Sequence, residues 1–448
     1  MMAQHKNTSF WSSNIGFILA CVGAAVGLGN IWKFPYMAGT QGGGAFVFVY
    51  LITIFAIAIP VAAAELLVGR KGRSDAVSSV RDIAVENSRP AALGAIGGIG
   101  VFGSFVLLTF YAVIAGWVSA YILRALTGQI GGLNAESAGA MFGNLLASPN
   151  EMIIHQFSFL LFLGLILIRQ LSAGLERANL ILMPSLVVML VLIAVYGALA
   201  GDIGASLAYL FTPDFSKITP AVIQSAVGQG FFSVGVGAAM LITYGAYLDK
   251  SINLGQAAIT IALADTAIAI LAGIGIFAIV FGQSLDPSAG PGLIFTTLPL
   301  AFGQMPFGGA LALVFFVLVY FAALTSGLSL AEVMFRWAEN RFGWSRKRAI
   351  YVMLGATFLV GLSTVFSFNI WADVKIAGRS LFDMKDYLVT AYIMPLGGLG
   401  VILFAAWVMP VEALKKAFGH DGALFTAWLF AGRYLSPLGI LWIFWAGL

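Results

Sequence analysis

The chain has 448 residues, of which 60% are hydrophobic and only 9% charged, whereas a soluble domain carries about 25% charged residues. A water-facing globule is therefore excluded, and most of the surface must meet lipid. The net charge of +4 does not point to nucleic acid, because the basic residues sit in short segments between apolar runs, and the single Cys21 excludes a disulfide framework or a cysteine metal cluster.

In chain order, MMAQHKNTSF is polar and lacks the apolar core of a signal peptide, so residues 1–12 read as a short cytoplasmic tail. Apolar stretches of about 20 residues, enough to cross a bilayer, follow near 13–36, 44–69, 93–124, 154–170 and 178–198 (spans 1 to 5). Six more lie near 220–247, 256–283, 308–337, 349–367, 386–409 and 424–446 (spans 6 to 11). Span 3 is long and should tilt or protrude. The apolar stretch 292–306 is short and interrupted by Pro299 and Pro306, which predicts a re-entrant or loop hairpin. The chain thus reads as an all-α membrane protein of about 11 transmembrane helices. With the N-terminus inside, sixteen Lys and Arg, from Lys6 to Lys416, fall in inner segments, against Arg124, Lys217, Lys375, Arg379 and Lys385 in outer ones. The positive-inside rule then predicts a cytoplasmic N-terminus, an external C-terminus and a place in the cell's inner (plasma) membrane. His5, His155 and His420 lie far apart, and neither a His–carboxylate metal motif nor a Ser–His pair is expected within the spans, so the chain does not read as an enzyme.

Two spans depart from plain hydrophobic helices. Gly23–Asn30 (GAAVGLGN) in span 1 and Gly228–Gly237 (GQGFFSVGVG) in span 6 cluster glycine at bilayer depth. Glycine costs about 1 kcal/mol in a helix interior, so these clusters favour unwinding, which a membrane tolerates only where backbone is buried or lines a cavity. Close helix packing through glycine is the other reading. Spans 1 and 6 are five apart, which predicts a 5+5 inverted repeat: 13–198 and 220–409, followed by an eleventh helix at 424–446, with spans 1 and 6 unwound together at the midplane.

NIWKFPY (Asn30–Tyr36), GGGAF (Gly42–Phe46), GQGFFSVGVG, ITYGAY (Ile242–Tyr247), ALTSG (Ala323–Gly327) and RYLSP (Arg433–Pro437) together resemble the neurotransmitter:sodium symporter family, in particular its eleven-helix bacterial amino acid transporters. Paired broken helices are a known property of that family, so the repeat reading is not independent of the resemblance. The resemblance implies a sodium-coupled symporter that imports neutral amino acids and binds two sodium ions. It implies a first sodium position at Ala25, Asn30, Ser233, Asp265 and the substrate carboxylate, and a second at Gly23, Val26, Ala322, Thr325 and Ser326. For Thr325 and Ser326 the alternative is bonding back to their own helix.

Asp265 lies mid-span, where an unpaired carboxylate costs about 2.5–3.5 kcal/mol; a protonated, hydrogen-bonded Asp is its alternative. Many family members carry Asn there and need chloride. Tyr50, Gln229 and Ser233 match chloride-site positions, while the acid that replaces chloride in some bacterial members would fall on Ala269. Asp265 is therefore expected to supply the negative charge itself and make chloride unnecessary. Gly27 stands where monoamine transporters carry Asp, so the ligand must bring its own carboxylate to the first sodium. By the same resemblance the substrate meets Ala24, Ala25, Leu28, Gly29, Leu107, Tyr111, Phe232, Ser233, Gly235, Ala238, Ser326 and Leu330. Small Gly235 and Ala238 suggest room for larger apolar or aromatic side chains.

Lys33 and Asp386 match the outer gate, with Tyr111 and Phe232 as an aromatic lid; for Lys33 a structural ion pair or lipid contact is the alternative. The family's inner ion pair falls on Thr8 and Asn340, neither charged. Trp11 with Tyr247 and Glu332, or Lys6 and Glu339, are candidates to replace it. Gly174 and Pro184 put a helix breaker at the inner end of span 5, either a site of unwinding or a plain proline kink. A membrane sensor that binds the amino acid with sodium but does not transport it is the competing function.

Overall fold

A computed structural model describes residues 11, 13–169, 172–249, 252–418 and 422–446. Their regular structure is entirely helical, as expected where no water is available to satisfy exposed backbone groups. Among the described residues, nine helices are long and apolar enough to span a membrane. They are Gly44–Gly72, Ala91–Leu126, Pro149–Leu167 and Gly174–Ala200 (spans 2 to 5), Leu254–Gly282, Gly308–Phe342, Arg346–Phe366 and Leu381–Val408 (spans 7 to 10), and Ala423–Trp442 (span 11). Span 1 is a bent pair, Asn14–Ala25 and Gly29–Thr40, meeting at 46°. Span 6 consists of Pro220–Val234 and Met240–Gly245, each half too short to cross alone; among the described residues the candidate spans number nine, or ten with the bent pair of span 1.

The ends differ from the sequence reading by a few residues, for local reasons. Span 4 starts five residues early, because Pro149 occupies the first turn, where its missing N–H costs nothing. Span 8 runs on to Phe342 and stops at Gly343 in the left-handed region, φ 64°. Span 10 begins at Leu381, after Ser380 caps it by accepting from the Asp383 N–H. The stretch 292–306 folds as short helical turns, Leu293–Thr297 and Leu298–Gln304, joining spans 7 and 8.

The breaks also need correction. Span 1 opens at Val26, whose backbone is extended (φ −70°, ψ 104°), within the predicted segment. Span 6 opens later than predicted, over residues 235–239. Gly228 and Gly230 remain helical. A β-carbon on Gly230 would lie 2.7 Å from Thr53 Cγ2, so this glycine serves close packing. Gly235, Gly237 and Ala239 take φ of +73°, +85° and +58°, a left-handed turn that two glycines make accessible.

Burial separates centre from periphery. The apolar windows of spans 3 and 8 are each 72% buried, those of spans 4 and 5 only 33% and 28%. Spans 3 and 8 pack beside the broken helices, while spans 4 and 5 turn most of their apolar surface outward to lipid.

Candidate ion and substrate site

Asn30 follows the break of span 1, Ser233 precedes that of span 6, and Asp265 lies in span 7; all three are fully buried. Asn30 Nδ2 donates to Asp265 Oδ1 at 2.7 Å and to the Asp265 carbonyl at 3.0 Å, and lies 3.2 Å from Ser233 Oγ. Ser233 Oγ donates to Asp265 Oδ2 at 2.6 Å. Asn30 Oδ1 accepts from the Gly27 N–H at 3.1 Å, tying the cluster to the opened backbone. Hydrogen bonds are how a buried carboxylate is tolerated. The result is a set of hard oxygen atoms at the meeting point of three spans, where the backbone of Ala25 and Gly29 is also buried.

Of the residues matching chloride-site positions, Tyr50 OH lies 3.1 Å from Ser233 Oγ. Gln229 instead donates to the Gly29 carbonyl at 2.8 Å, helping hold the break of span 1. Ala269 is buried one turn beyond Asp265.

The second set also converges. Thr325 Oγ1 is 3.3 Å from the Val26 carbonyl and 3.0 Å from that of Ala322. Ser326 Oγ is 3.3 Å from the Gly23 carbonyl and 3.2 Å from that of Val26. Thr325 also reaches the Phe321 carbonyl of its own helix at 3.2 Å, so local bonding and the contact with span 1 coexist. Sequence reasoning missed Asn179. A β-carbon on Gly23 would overlap its Oδ1, which is buried and has no hydrogen-bond partner among the described residues. A lone Asn in span 5 carries no signal of that neighbour.

Between these sets lies a cradle. The Leu28 N–H donates to Tyr111 OH at 3.3 Å. A β-carbon on Gly27 would lie 2.9 Å from that hydroxyl and would overlap Ser326 Oγ. Ala24, Leu107, Phe232, Ala238 and Leu330 are all buried. The expectation that Gly235 leaves room is corrected: Met240 Cε occupies the space beside it. Met240 follows the break directly, and sequence gave no sign that it folds back. Ala238 is held through its carbonyl, which accepts from Ser104 of span 3 at 2.6 Å. Glu65 of span 2, also missed, accepts the Gly237 N–H at 2.6 Å and faces the N–H groups of Leu241 and Ile242, so it satisfies donors freed by the break.

On one side of the cradle Lys33 and Asp386 form an ion pair at 2.6 Å. Lys33 Nζ also lies 4.3 Å from the Phe232 ring centre, a cation–π contact that couples the pair to the predicted lid. On the other side Trp11 donates to the Tyr244 carbonyl at 3.3 Å and packs edge-on against the Tyr244 and Tyr247 rings. Tyr247 OH donates to Glu332 at 3.3 Å. Glu332 is gripped by both terminal nitrogens of Arg346, at 3.2 and 2.6 Å, and Glu339 lies 3.8 Å from the same guanidinium. Arg346 is the partner that sequence reasoning missed, being one cation among several at the start of span 9. Asn340 donates to Asp75 and Ser74, both at 3.0 Å; Lys6 and Thr8 lie outside the described residues. Gly174 and Pro184 both fall in span 5, and Pro184 sits inside an unbroken helix, Arg177–Ala200. The expectation that the spans hold no Ser–His pair is also corrected. Ser119 of span 3 lies 2.6 Å from His155 Nδ1 of span 4, a contact that spacing of 36 residues does not disclose. The same hydroxyl lies 2.8 Å from the Gly116 carbonyl of its own helix.

Residues 8–136 and 147–445 match the sodium:neurotransmitter symporter family. The chain is 33% identical over 438 residues to an uncharacterized sodium-dependent transporter, YhdH, of Bacillus subtilis (strain 168), covering 97% of this chain and 96% of the relative. An uncharacterized sodium-dependent transporter of Haemophilus influenzae is 31% identical over 452 residues, with 99% of both chains covered. The crystal structure of MhsT in complex with L-phenylalanine superposes with a TM-score of 0.93 at 39% identity, over 98% of this chain and 100% of that one.

Proposed function

Because the chain belongs to the sodium:neurotransmitter symporter family, we propose that it imports neutral L-amino acids, with large apolar or aromatic side chains preferred, by alternating access with two sodium ions and without chloride. The observation that carries this reading is the fully buried Asp265, bonded to Asn30 and Ser233. Among these polar groups it brings a carboxylate to the sodium position nearest the substrate, and the co-transported ion would meet oxygen from Ala25, Asn30, Ser233 and Asp265. Thr325 and Ser326, with the carbonyls of Gly23, Val26 and Ala322, would receive the second ion. With no acid at Gly27, an amino acid would turn its carboxylate toward the first ion and Tyr111. The phenylalanine in the MhsT crystal structure supports an aromatic side chain, seated among Leu107, Phe232, Ala238 and Leu330.

Two sodium ions crossing 100 mV supply about 4.6 kcal/mol, and tenfold gradients add about 1.4 kcal/mol per ion. Together they concentrate a neutral solute on the order of 10⁵-fold. The repeats 13–198 and 220–409 would rock about the cradle, with Lys33–Asp386 closing the outer side and the Glu332–Arg346 cluster the inner. The N-terminus would then be cytoplasmic and the C-terminus external.

The test is uptake of labelled phenylalanine, tryptophan and leucine into proteoliposomes under an inward sodium gradient, with choline replacing sodium and gluconate replacing chloride in separate arms. Accumulation that needs sodium and persists without chloride is expected. Sodium-dependent binding with no accumulation would replace this reading with that of a sensor.

A further inference from the structure

Spans 4 and 9 leave an open apolar cavity of about 340 Å³ between them on the lipid-facing surface, lined among others by Phe157, Leu161, Gly164, Ile168, Tyr351 and Gly355. From Phe157 to Ile168 the helix rises about 16 Å, at 1.5 Å per residue, close to the ~15 Å depth of one leaflet's hydrocarbon. Gly355 faces open space: a β-carbon there would meet no atom within 4 Å. At its Ile168 end the groove adjoins a second cavity of about 350 Å³, which shares Leu165 with it and is lined by Arg169 and Arg177. Both arginines are exposed, and neither has a carboxylate partner among the described residues. The mouth is fixed by Arg346, which donates to the Leu167 carbonyl at 2.9 Å and so ties the start of span 9 to the end of span 4.

We propose that this surface is a specific site for an anionic glycerophospholipid, with one acyl chain in the span 4/9 groove and the headgroup phosphate between Arg169 and Arg177. Chain length, depth and charge agree on the occupant. Membrane proteins recognise anionic headgroups in such basic pockets between helices. A similar cavity between spans 3, 8 and 9, lined by Phe102, Trp337 and Met353 among others, contains no cation and provides an internal contrast. Because Gly174 lines the headgroup cavity, the lipid contacts the start of span 5 directly.

The test uses the full chain in detergent, with phosphatidylglycerol and phosphatidylcholine of identical acyl chains at equal mole fraction, read by native mass spectrometry. Wild type is expected to retain phosphatidylglycerol preferentially. Arg169→Gln with Arg177→Gln should reduce that preference roughly thirtyfold, equivalent to about 2 kcal/mol for two basic residues. Gly355→Leu, which fills the groove, should lower retention of both lipids. Sodium-dependent phenylalanine binding by each variant reports that it is folded. Unchanged preference in the double variant, or unchanged retention in Gly355→Leu, would overturn the site; the latter would leave only a headgroup attraction at the surface. A measurement on the unaltered chain stands apart from any folding defect. Phosphatidylglycerol carrying a diazirine in its acyl chain should crosslink to residues 157–168 or 350–358, and crosslinks exclusively elsewhere would equally refute the proposal.

Discussion

Asp265 and Gly27 make the sharpest single-residue tests. Asp265 has no exposed surface and accepts hydrogen bonds from Asn30 and Ser233, a class that contributes about 0.5–1.5 kcal/mol each. Asp265→Asn keeps the shape and removes the charge. Uptake in gluconate should then fall about tenfold or more, and added chloride should restore it, measured as initial rates of labelled phenylalanine uptake. Equal loss with and without chloride would mean that the carboxylate does not stand in for the anion. Gly27→Ala tests the cradle. Its methyl group would collide with Ser326 Oγ and crowd Tyr111 OH at 2.9 Å. Such overpacking costs about 1–3 kcal/mol, so the Kd for phenylalanine should rise about tenfold or more, read by scintillation proximity binding. Unaltered affinity would move the substrate elsewhere.

At the level of the element, the break in span 6 depends on its surroundings. Gly237 sits at φ +85° and a β-carbon there would overlap the Met394 carbonyl. Gly237→Ala adds a left-handed penalty of about 1–2 kcal/mol to that overlap. A lower melting temperature in detergent and loss of uptake are expected. Glu65→Ala removes the acceptor for the Gly237 N–H and leaves a donor buried without a partner, a cost of about 1–3 kcal/mol. Glu65→Gln keeps an acceptor oxygen and should retain more of the stability than the alanine variant. If both variants melt like wild type, Glu65 does not support the break. Glycine content announced that span 6 would open, but not where. Gly228, Gly230, Gly235 and Gly237 look alike in sequence; only in the structure do the first two stay helical while the last two take φ of +73° and +85°.

Across the whole molecule, each side of the cradle carries its own ion pair, Lys33–Asp386 on one and Arg346–Glu332 on the other. The Lys33–Asp386 pair was legible because both positions match the family's outer pair. The opposite closure was legible only by halves, Glu332 and Tyr247 without Arg346. Arg346→Ala strands Glu332, which is 1% exposed. Breaking a fully buried pair costs about 3–5 kcal/mol; with the Arg346 side chain 24% exposed, about 2 kcal/mol is expected from thermal melting. Adding Glu332→Gln removes the stranded charge, so the double variant should be more stable than Arg346→Ala alone. A double variant that is less stable would show that Glu332 is held mainly by Tyr247. If the cluster also closes the inner side, a cysteine placed at Ser329 should label faster in Arg346→Ala membranes than in wild type.

The sequence by itself determined the all-helical membrane class, the two broken spans and the family, because each rests on local properties: apolar length, glycine clustering and short contiguous motifs. It also named Asn30, Ser233, Thr325 and Ser326, which lie in those motifs, and Asp265, which stands out as an acid in mid-span. Only the tertiary structure decided that Met240 fills the space beside Gly235, that Asn179 abuts Gly23, and that Glu65 satisfies the opened backbone of span 6. It also brought Arg346 onto Glu332 and aligned Arg169 and Arg177 with the groove between spans 4 and 9. These partners come from spans distant in sequence, and each residue alone is ordinary for its position. Their pairing depends on how the helices pack around spans 3 and 8, which no local pattern encodes.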